Sequence, residues 1–394
     1  MSNCRREKQG AFGMKDEKSQ MAWQAALRFA GPAGIKSCVS YGNGHINDTF
    51  LVTSGSRRNP DAGRTESDRI QGFTEENSFI LQKINTHVFK KPTEVMENMV
   101  GVTGWIRHRL EADGADWHRR VLEIIQTDGG KPFFEDLSGG FWRAVRLISN
   151  AVCYEQAPSE EVFYQSAAAF GNFQHLLSDY PVKRLHETIP DFHNTPVRCR
   201  QFLDALRKDP FGRLAGASQE AGFLQERIET LSSPLTDAAK RGILPLRVTH
   251  NDTKLNNVMM DRETGEGLCV IDLDTVMPGL SVTDFGDAIR FGASTAAEDE
   301  RDLQKVHFDR RLYEVYREGF IEGCAGSLTD GELDLLPVGA MVITYEQALR
   351  FLTDYLMGDV YYKTARPEHN LDRARTQIRL LSEMEQVLKT GMTG

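Results

Sequence analysis

The sequence predicts an α+β protein of two lobes, a small mixed β-sheet N-lobe followed by a larger, mainly α-helical C-lobe. Three observations carry this expectation. The chain has 394 residues, enough for two lobes that each bury a core. Up to about residue 150, short β-branched and apolar runs separated by turn residues give the order strand, strand, strand, helix, strand, strand. Beyond Asn150 the apolar residues recur at spacings of three and four, the signature of helices with one buried face.

The first twenty residues, "MSNCRREKQGAFGMKDEKSQ", lack an apolar signal core and read as a mobile tail, which places the N-lobe at 21–150. "IKSCVSYGNGHINDTFLVTS" reads as two strands joined by a polar turn at Gly42–Asn47. The charged, Gly-containing stretch at about 54–76 reads as an exposed insertion. "SFILQKIN" follows as a strand, and "KPTEVMENMVGVTGWIRHRL" as a helix with Pro92 near its start. "VLEIIQT" and "FWRAVRLIS" form a hairpin around "DGGKP". The C-lobe, 151–394, opens with a helix on which Phe163, Ala167, Phe170, Phe173 and Leu177 share a face. A loop over 190–198 precedes helices expected at 198–208 and 218–241. The chain then enters "LRVTH", a polar loop and two short strands, "NVMMD" and "LCVIDL", and from Leu303 onward it is mainly helical.

Composition narrows the function classes. With 40% apolar and 26% charged residues the chain is an ordinary globular protein. A net charge of −9 argues against a nucleic-acid surface. No run approaches eighteen apolar residues, so no membrane partner is expected. The six cysteines are widely spaced and form no C-x-x-C pair, which fits reduced thiols in a cytoplasmic protein and gives neither a zinc site nor a disulfide framework.

The stretch "VTHNDTKLNNVMMD" gathers His, Asp, Lys and Asn between two apolar runs, and its spacing His250-x-Asp252-x-x-x-x-Asn257 is that of a kinase catalytic loop. Phosphoryl transfer needs a positioned acceptor, neutralised phosphate charge and a divalent metal. Asp252 would orient a substrate hydroxyl and take its proton late; Lys254 would meet the transferring phosphoryl group. Asn257 would offer its amide oxygen to Mg²⁺, and His250 would brace the loop. Twenty residues after Asp252 the apolar strand "LCVIDLD" ends in Asp272, the spacing of a second metal ligand. Two acids ending a buried strand need a partner: a metal or a structural hydrogen-bond network. Asp274 is a possible helper. The tripeptide Asp284-Phe285-Gly286 does not end an apolar strand, so Asp284 or Asp287 is expected to buttress the loop or cap the next helix. In the N-lobe, Lys83 within "SFILQKIN" suits a nucleotide-phosphate lysine. Glu97, or alternatively Glu94, would hold it as an ion pair.

These blocks together resemble the aminoglycoside phosphotransferase and choline kinase superfamily. "SYGNGHINDTF", "VFKKPTEVMEN", "THNDTKLNNVMMD", "VIDLDTVMPG", "DFGDAIR" and "ALRFLTDYLMGDVYYK" are similar to the N-acetylhexosamine 1-kinases within it. The resemblance implies a bilobal protein-kinase-like fold, ATP and Mg²⁺ as cofactors, and phosphorylation of the anomeric hydroxyl of a small-molecule sugar. It implies sugar contacts from His45 and Asn47 in the N-lobe turn, from Phe291 after "DAIR", and from Arg350 and Tyr361 in the late helices. Arg350 stands in an otherwise apolar helix, so it needs either a ligand oxygen or a neighbouring acid. Another hexose or small-molecule hydroxyl is the alternative acceptor. A sulfatase would need a C/S-x-P/A-x-R setting that no cysteine here provides, and a binding-only pseudokinase would be expected to lack Lys83, Asp252, Asn257 or Asp272.

Overall fold

A computed structural model describes residues 17–31, 34–42, 47–54 and 78–388. The turn residues 43–46, with His45, and the expected insertion from 55 to 76 lie outside the described residues. The chain divides into two compact units, one formed by residues up to Pro92 with Glu123–Ser149, the other by Thr93–Leu122 with residues from Asn150 onward. The helix after Pro92 thus groups with the second unit, a different grouping from the single break near 150 that the sequence suggests.

In the first unit, α1 (Glu17–Ala30) precedes strands β1 (Ile35–Ser40), β2 (Asp48–Ser54) and β3 (Ser78–Ile84). After the excursion of α2 (Pro92–Ala112) come β4 (Ile124–Ile125), β5 (Phe134–Glu135) and β6 (Phe141–Arg146). The antiparallel sheet runs β1-β2-β3-β6-β4, with β5 also on β6. Residues two apart share a face of a strand, so Phe50 and Val52, Phe79 and Leu81, and Trp142 and Ala144 form one apolar surface. Helix α1 covers it with Ala22, Ala25, Ala26 and Phe29, spaced i, i+3, i+4, i+7. Each fully buried large side chain stabilises this core by about 1.5–3 kcal/mol. The helix starts inside the stretch that reads as tail. Its polar first turn hides the apolar face, whose small alanines give a weak signal.

In the second unit β7 (Ala151–Val152) leads into α3 (Glu160–Leu176) and α4 (Thr195–Lys208). The long helix expected over 218–241 is broken into α5 (Ser218–Glu226), α6 (Ile228–Leu231) and α7 (Pro234–Lys240). Pro234 has no amide hydrogen and is tolerated only as the start of a new helix. Next come β8 (Arg247–Thr249), β9 (Val258–Asp261), β10 (Gly267–Val270) and β11 (Met277–Gly279). The unit ends with α8 (Ser281–Gly292), α9 (Arg310–Gly323), α10 (Asp330–Leu356) and α11 (His369–Leu388).

The pairing of these short strands positions the site. β9 pairs with β10, and β8 pairs with β11, both antiparallel. The loop 250–257 between β8 and β9 and the loop 271–276 between β10 and β11 are therefore clamped at both ends and face one another. Beneath them α8 packs on α10 backbone to backbone: a Cβ at Gly286 would stand 2.5 Å from the Gly339 carbonyl oxygen.

Candidate active site

The loop after β8 is braced by a fully buried carboxylate. Asp284, in the first turn of α8, accepts from the backbone N–H of His250 (Oδ2, 2.8 Å) and of Asn251 (Oδ1, 2.8 Å). Gln174 of α3 donates to the same carboxylate at 2.9 Å and to the Val248 carbonyl at 3.1 Å. Burial pushes the Asp284 pKa up, against the pull of His250 and the two backbone donors. One turn on, Asp287 accepts from the Thr253 N–H at 3.2 Å and from Arg290 at 2.9 Å. Desolvation opposes its ionisation, yet Arg290 and Lys254 bring its pKa below the ordinary value. The buttressing expected of Asp284 or Asp287 is thus performed by both, while the helix N-cap position falls on Leu280.

His250 is fully buried and ties the two facing loops together. Its Nδ1 lies 3.3 Å from the Asp252 backbone nitrogen and its Nε2 lies 2.8 Å from the Ile271 carbonyl oxygen. The Ile271 N–H in turn donates to the Asn257 carbonyl at 2.8 Å. These two bonds fix the peptide leading into Asp272 against the loop that carries Asp252 and Asn257. Asn251 (φ 64°) and Asp272 (φ 59°) are both left-handed, a conformation Asn and Asp tolerate better than other side chains, and the pair brackets the site.

Asp252 is partly exposed and meets Lys254 Nζ at 2.7 Å. Burial of Lys254 works against its charge, but Asp252 and then Asp287 raise its pKa, keeping an ammonium beside the carboxylate. Asn257 donates through Nδ2 to the Asp252 carbonyl at 2.8 Å and to Oδ2 at 3.1 Å, so its amide oxygen is the atom that could hold a metal. An amide oxygen and a carboxylate are hard donors that suit Mg²⁺, which characteristically completes its shell with phosphate oxygens and water. Among the described residues, no three His, Cys, Asp or Glu side chains group as an all-protein metal cage.

In the first unit, Lys83 of β3 lies opposite Trp142 of β6, with Nζ 5.4 Å from the indole ring. A Cβ at Gly140 would strike the Lys83 Cε at 2.8 Å, so this glycine leaves room for the lysine stem. No carboxylate of that unit's described residues pairs with it. Asp136 nearby is spent on the turn, accepting from Ser138, Gly140 and Trp142 Nε1. Asn47 Oδ1 accepts the Asn85 N–H at 2.9 Å, fastening the start of β2 to the end of β3. In the second unit, Glu97 of α2 meets His186 Nε2 at 2.7 Å.

Of the two residues expected on the late helices, Arg350 lies on α10 but Tyr361 lies in the turn after it, and both line one cavity of about 450 Å³ together with Arg198, Asp354 and Tyr362. Arg350 makes no ion pair among the described residues. It donates to Gln347 at 3.2 Å, with the rings of Phe192, Tyr361 and Tyr362 5.4–5.8 Å from its guanidinium. Asp354, one turn along α10, accepts from the backbone N–H of Val360, Tyr361 and Tyr362 and so shapes the turn that carries both tyrosines. Phe291 lines a separate cavity of about 340 Å³ beside Leu255 and Arg290.

Sequence reasoning missed Gln174 and Asp354. Gln174 interrupts the apolar face of α3 between Phe173 and Leu177, a polar residue where burial demands a partner. Asp354 stands i+4 from Arg350 in the same apolar helix.

The chain is similar to several solved structures. The microcompartment-associated aminopropanol kinase shares 13% identity at a TM-score of 0.55, with 95% of this chain and 98% of that one covered. Choline kinase from Cryptosporidium parvum Iowa II shares 12% at 0.53, covering 95% and 96%. Spectinomycin phosphotransferase in complex with ADP and spectinomycin shares 13% at 0.54, covering 94% and 98%. At such identities the likeness is one of fold, the kinase-like α+β arrangement. No helix among the described residues is long and apolar enough to cross a membrane. Residues 38–318, well over half of the chain, match the model of the phosphotransferase enzyme family (APH), and the chain belongs to that family.

Proposed function

We propose that this protein is an ATP- and Mg²⁺-dependent kinase that phosphorylates the anomeric 1-hydroxyl of N-acetylhexosamines, N-acetylglucosamine or N-acetylgalactosamine, to the sugar 1-phosphate. The observation that carries the kinase part is the braced loop: Asp252 is partly exposed while the backbone around it is held by Asp284, Asp287 and His250. Positioning is the main task in phosphoryl transfer, and this carboxylate has little freedom to lose. Asp252 accepts a hydrogen bond from the acceptor hydroxyl. As that oxygen bonds to the γ-phosphorus and the bond to ADP breaks, the proton passes to Asp252. Lys254 places a positive charge beside the transferring group. Magnesium, when bound, neutralises phosphate charge, and Asn257 and Asp272 are the residues that would hold it. Lys83 and Glu97 keep their nucleotide-side roles as part of this proposal, and His45, Asn47, Phe291, Arg350 and Tyr361 their sugar-side roles.

The sugar part rests on the sequence blocks similar to N-acetylhexosamine 1-kinases and on Arg350. A kinase acting on another hexose or small-molecule hydroxyl would share every catalytic step. A quaternary-ammonium acceptor suits the Arg350 cavity poorly, because the rings that could cage it already surround a guanidinium. Asp252→Asn should fold with an unchanged melting temperature and lose about 10²–10⁴-fold in kcat, read as ADP release with N-acetylglucosamine as acceptor. Turnover equal to that of the unmodified protein would remove Asp252 from the role.

A further inference from the structure

The loop before α4 lays two consecutive residues against α10. Phe192 faces the Arg350 guanidinium, and His193 Nδ1 lies 2.9 Å from Glu346 Oε1. The other Glu346 oxygen accepts from Thr195 Oγ1 at 2.6 Å. Glu346 is only 1% exposed. Desolvation disfavours its charge, but His193 and Arg350 lower its pKa all the same. A buried carboxylate at Nδ1 fixes the imidazole tautomer, with the proton on Nδ1 and a lone pair on Nε2. That Nε2 is itself buried and has no hydrogen-bond partner among the described residues. Buried polar atoms are nearly always paired, so this one calls for a group that arrives with a ligand.

The surroundings say which ligand. Glu346 and Arg350 are i and i+4 on α10, hence neighbours on one face. Phe192, the residue before His193, has its ring 5.4 Å from the Arg350 guanidinium, so the loop sets His193 beside the face of α10 that carries Glu346 and Arg350. A hydrogen-bond acceptor beside an arginine donor matches a secondary amide, which presents one N–H and one carbonyl oxygen.

We infer that His193, held by Glu346, is a positioning residue of the acceptor site: Nε2 accepts from the acetamido N–H of the sugar while Arg350 donates to its carbonyl oxygen. This rests on the N-acetylhexosamine reading above. An amide offers its N–H and its carbonyl oxygen on separate atoms, one for each partner, where a hydroxyl offers a single oxygen, so the pair favours the amide.

The test compares kcat/KM for N-acetylglucosamine and for glucose in the unmodified protein, His193→Phe and His193→Gln. In His193→Phe the N-acetylglucosamine-to-glucose ratio should fall about tenfold, the size of one buried hydrogen bond, with KM for ATP unchanged. His193→Gln, which restores an acceptor oxygen, should recover part of the ratio. An unchanged ratio in both variants overturns the inference and leaves the proposed function standing, as does an equal rise in both KM values. An unmodified protein that phosphorylates no N-acetylhexosamine overturns both. Should His193→Phe fail to fold, the imidazole ¹⁵N resonances of the unmodified protein decide. An Nε2 shift on adding N-acetylglucosamine but not glucose supports the contact, and no shift contradicts it.

Discussion

Asp252 and Asp136 show how one residue type is put to different uses by its neighbours. Asp252 lies within a braced loop and keeps a face toward solvent. Asp136 turns inward on its own β-turn. Burial works against the Asp136 charge, but Ser138, Trp142 and Gly140 all donate to it and bring its pKa to about 2. An unfolded Asp titrates near about 3.9. The folded value is the lower one, so the stabilisation is complete above the unfolded pKa and is lost as pH falls through the folded one. Melting temperature should therefore drop between about pH 4 and about pH 2, and Asp136→Asn should flatten part of that drop. A pH series of thermal melts on both proteins checks it, and identical slopes would contradict the assignment. His250, Asp252, Asn257 and Asp272 were all legible in the sequence because they lie in two short runs with fixed spacing. The His193–Glu346 pair was not: 153 residues separate its members, and neither sits in a motif.

At the scale of elements, α8 joins the 250–257 loop to the helical core. Gly286 stands between the two buttressing carboxylates, and its missing Cβ lets α8 lie against the backbone of Gly339 and Ala340 in α10. The atoms such a Cβ would meet are backbone, which cannot swing aside. Gly286→Ala should cost about 1–3 kcal/mol by overpacking. It should also lower kcat, since α8 cannot shift without moving Asp284 and Asp287. Urea unfolding and turnover measured together test this; an unchanged midpoint would show that the helices separate freely. The sequence reading gave "TDFGD" no metal role and left open whether it braced or capped, because that depends on which loop lies above the helix. The long helix over 218–241 was misjudged for a local reason, since Pro234 and the serines before it outweigh the apolar periodicity.

For the whole molecule, the α+β character and the family were legible because both follow from the order of elements and from contiguous motifs. Grouping of α2 with the second unit was not, since it depends on tertiary contacts such as Asn98 Nδ2 donating to the carbonyls of His186 and Val276, at 2.8 and 2.9 Å. The arrangement of the residues proposed for the sugar side was the least legible. Arg350 and Tyr361 meet in one cavity, Phe291 lines another, and the Asp354 turn that brings the tyrosines to Arg350 shows only in three dimensions. In the proposed reaction the braced Asp252 orients an anomeric hydroxyl for attack on the γ-phosphate of ATP. The most direct measurement of this is a phosphorus NMR spectrum of the product formed from ATP, Mg²⁺ and a panel of N-acetylhexosamines, hexoses and amino alcohols. The account predicts an N-acetylhexosamine product whose phosphorus is coupled to the anomeric proton. Phosphate on any other hydroxyl, or product from an amino alcohol alone, would contradict it.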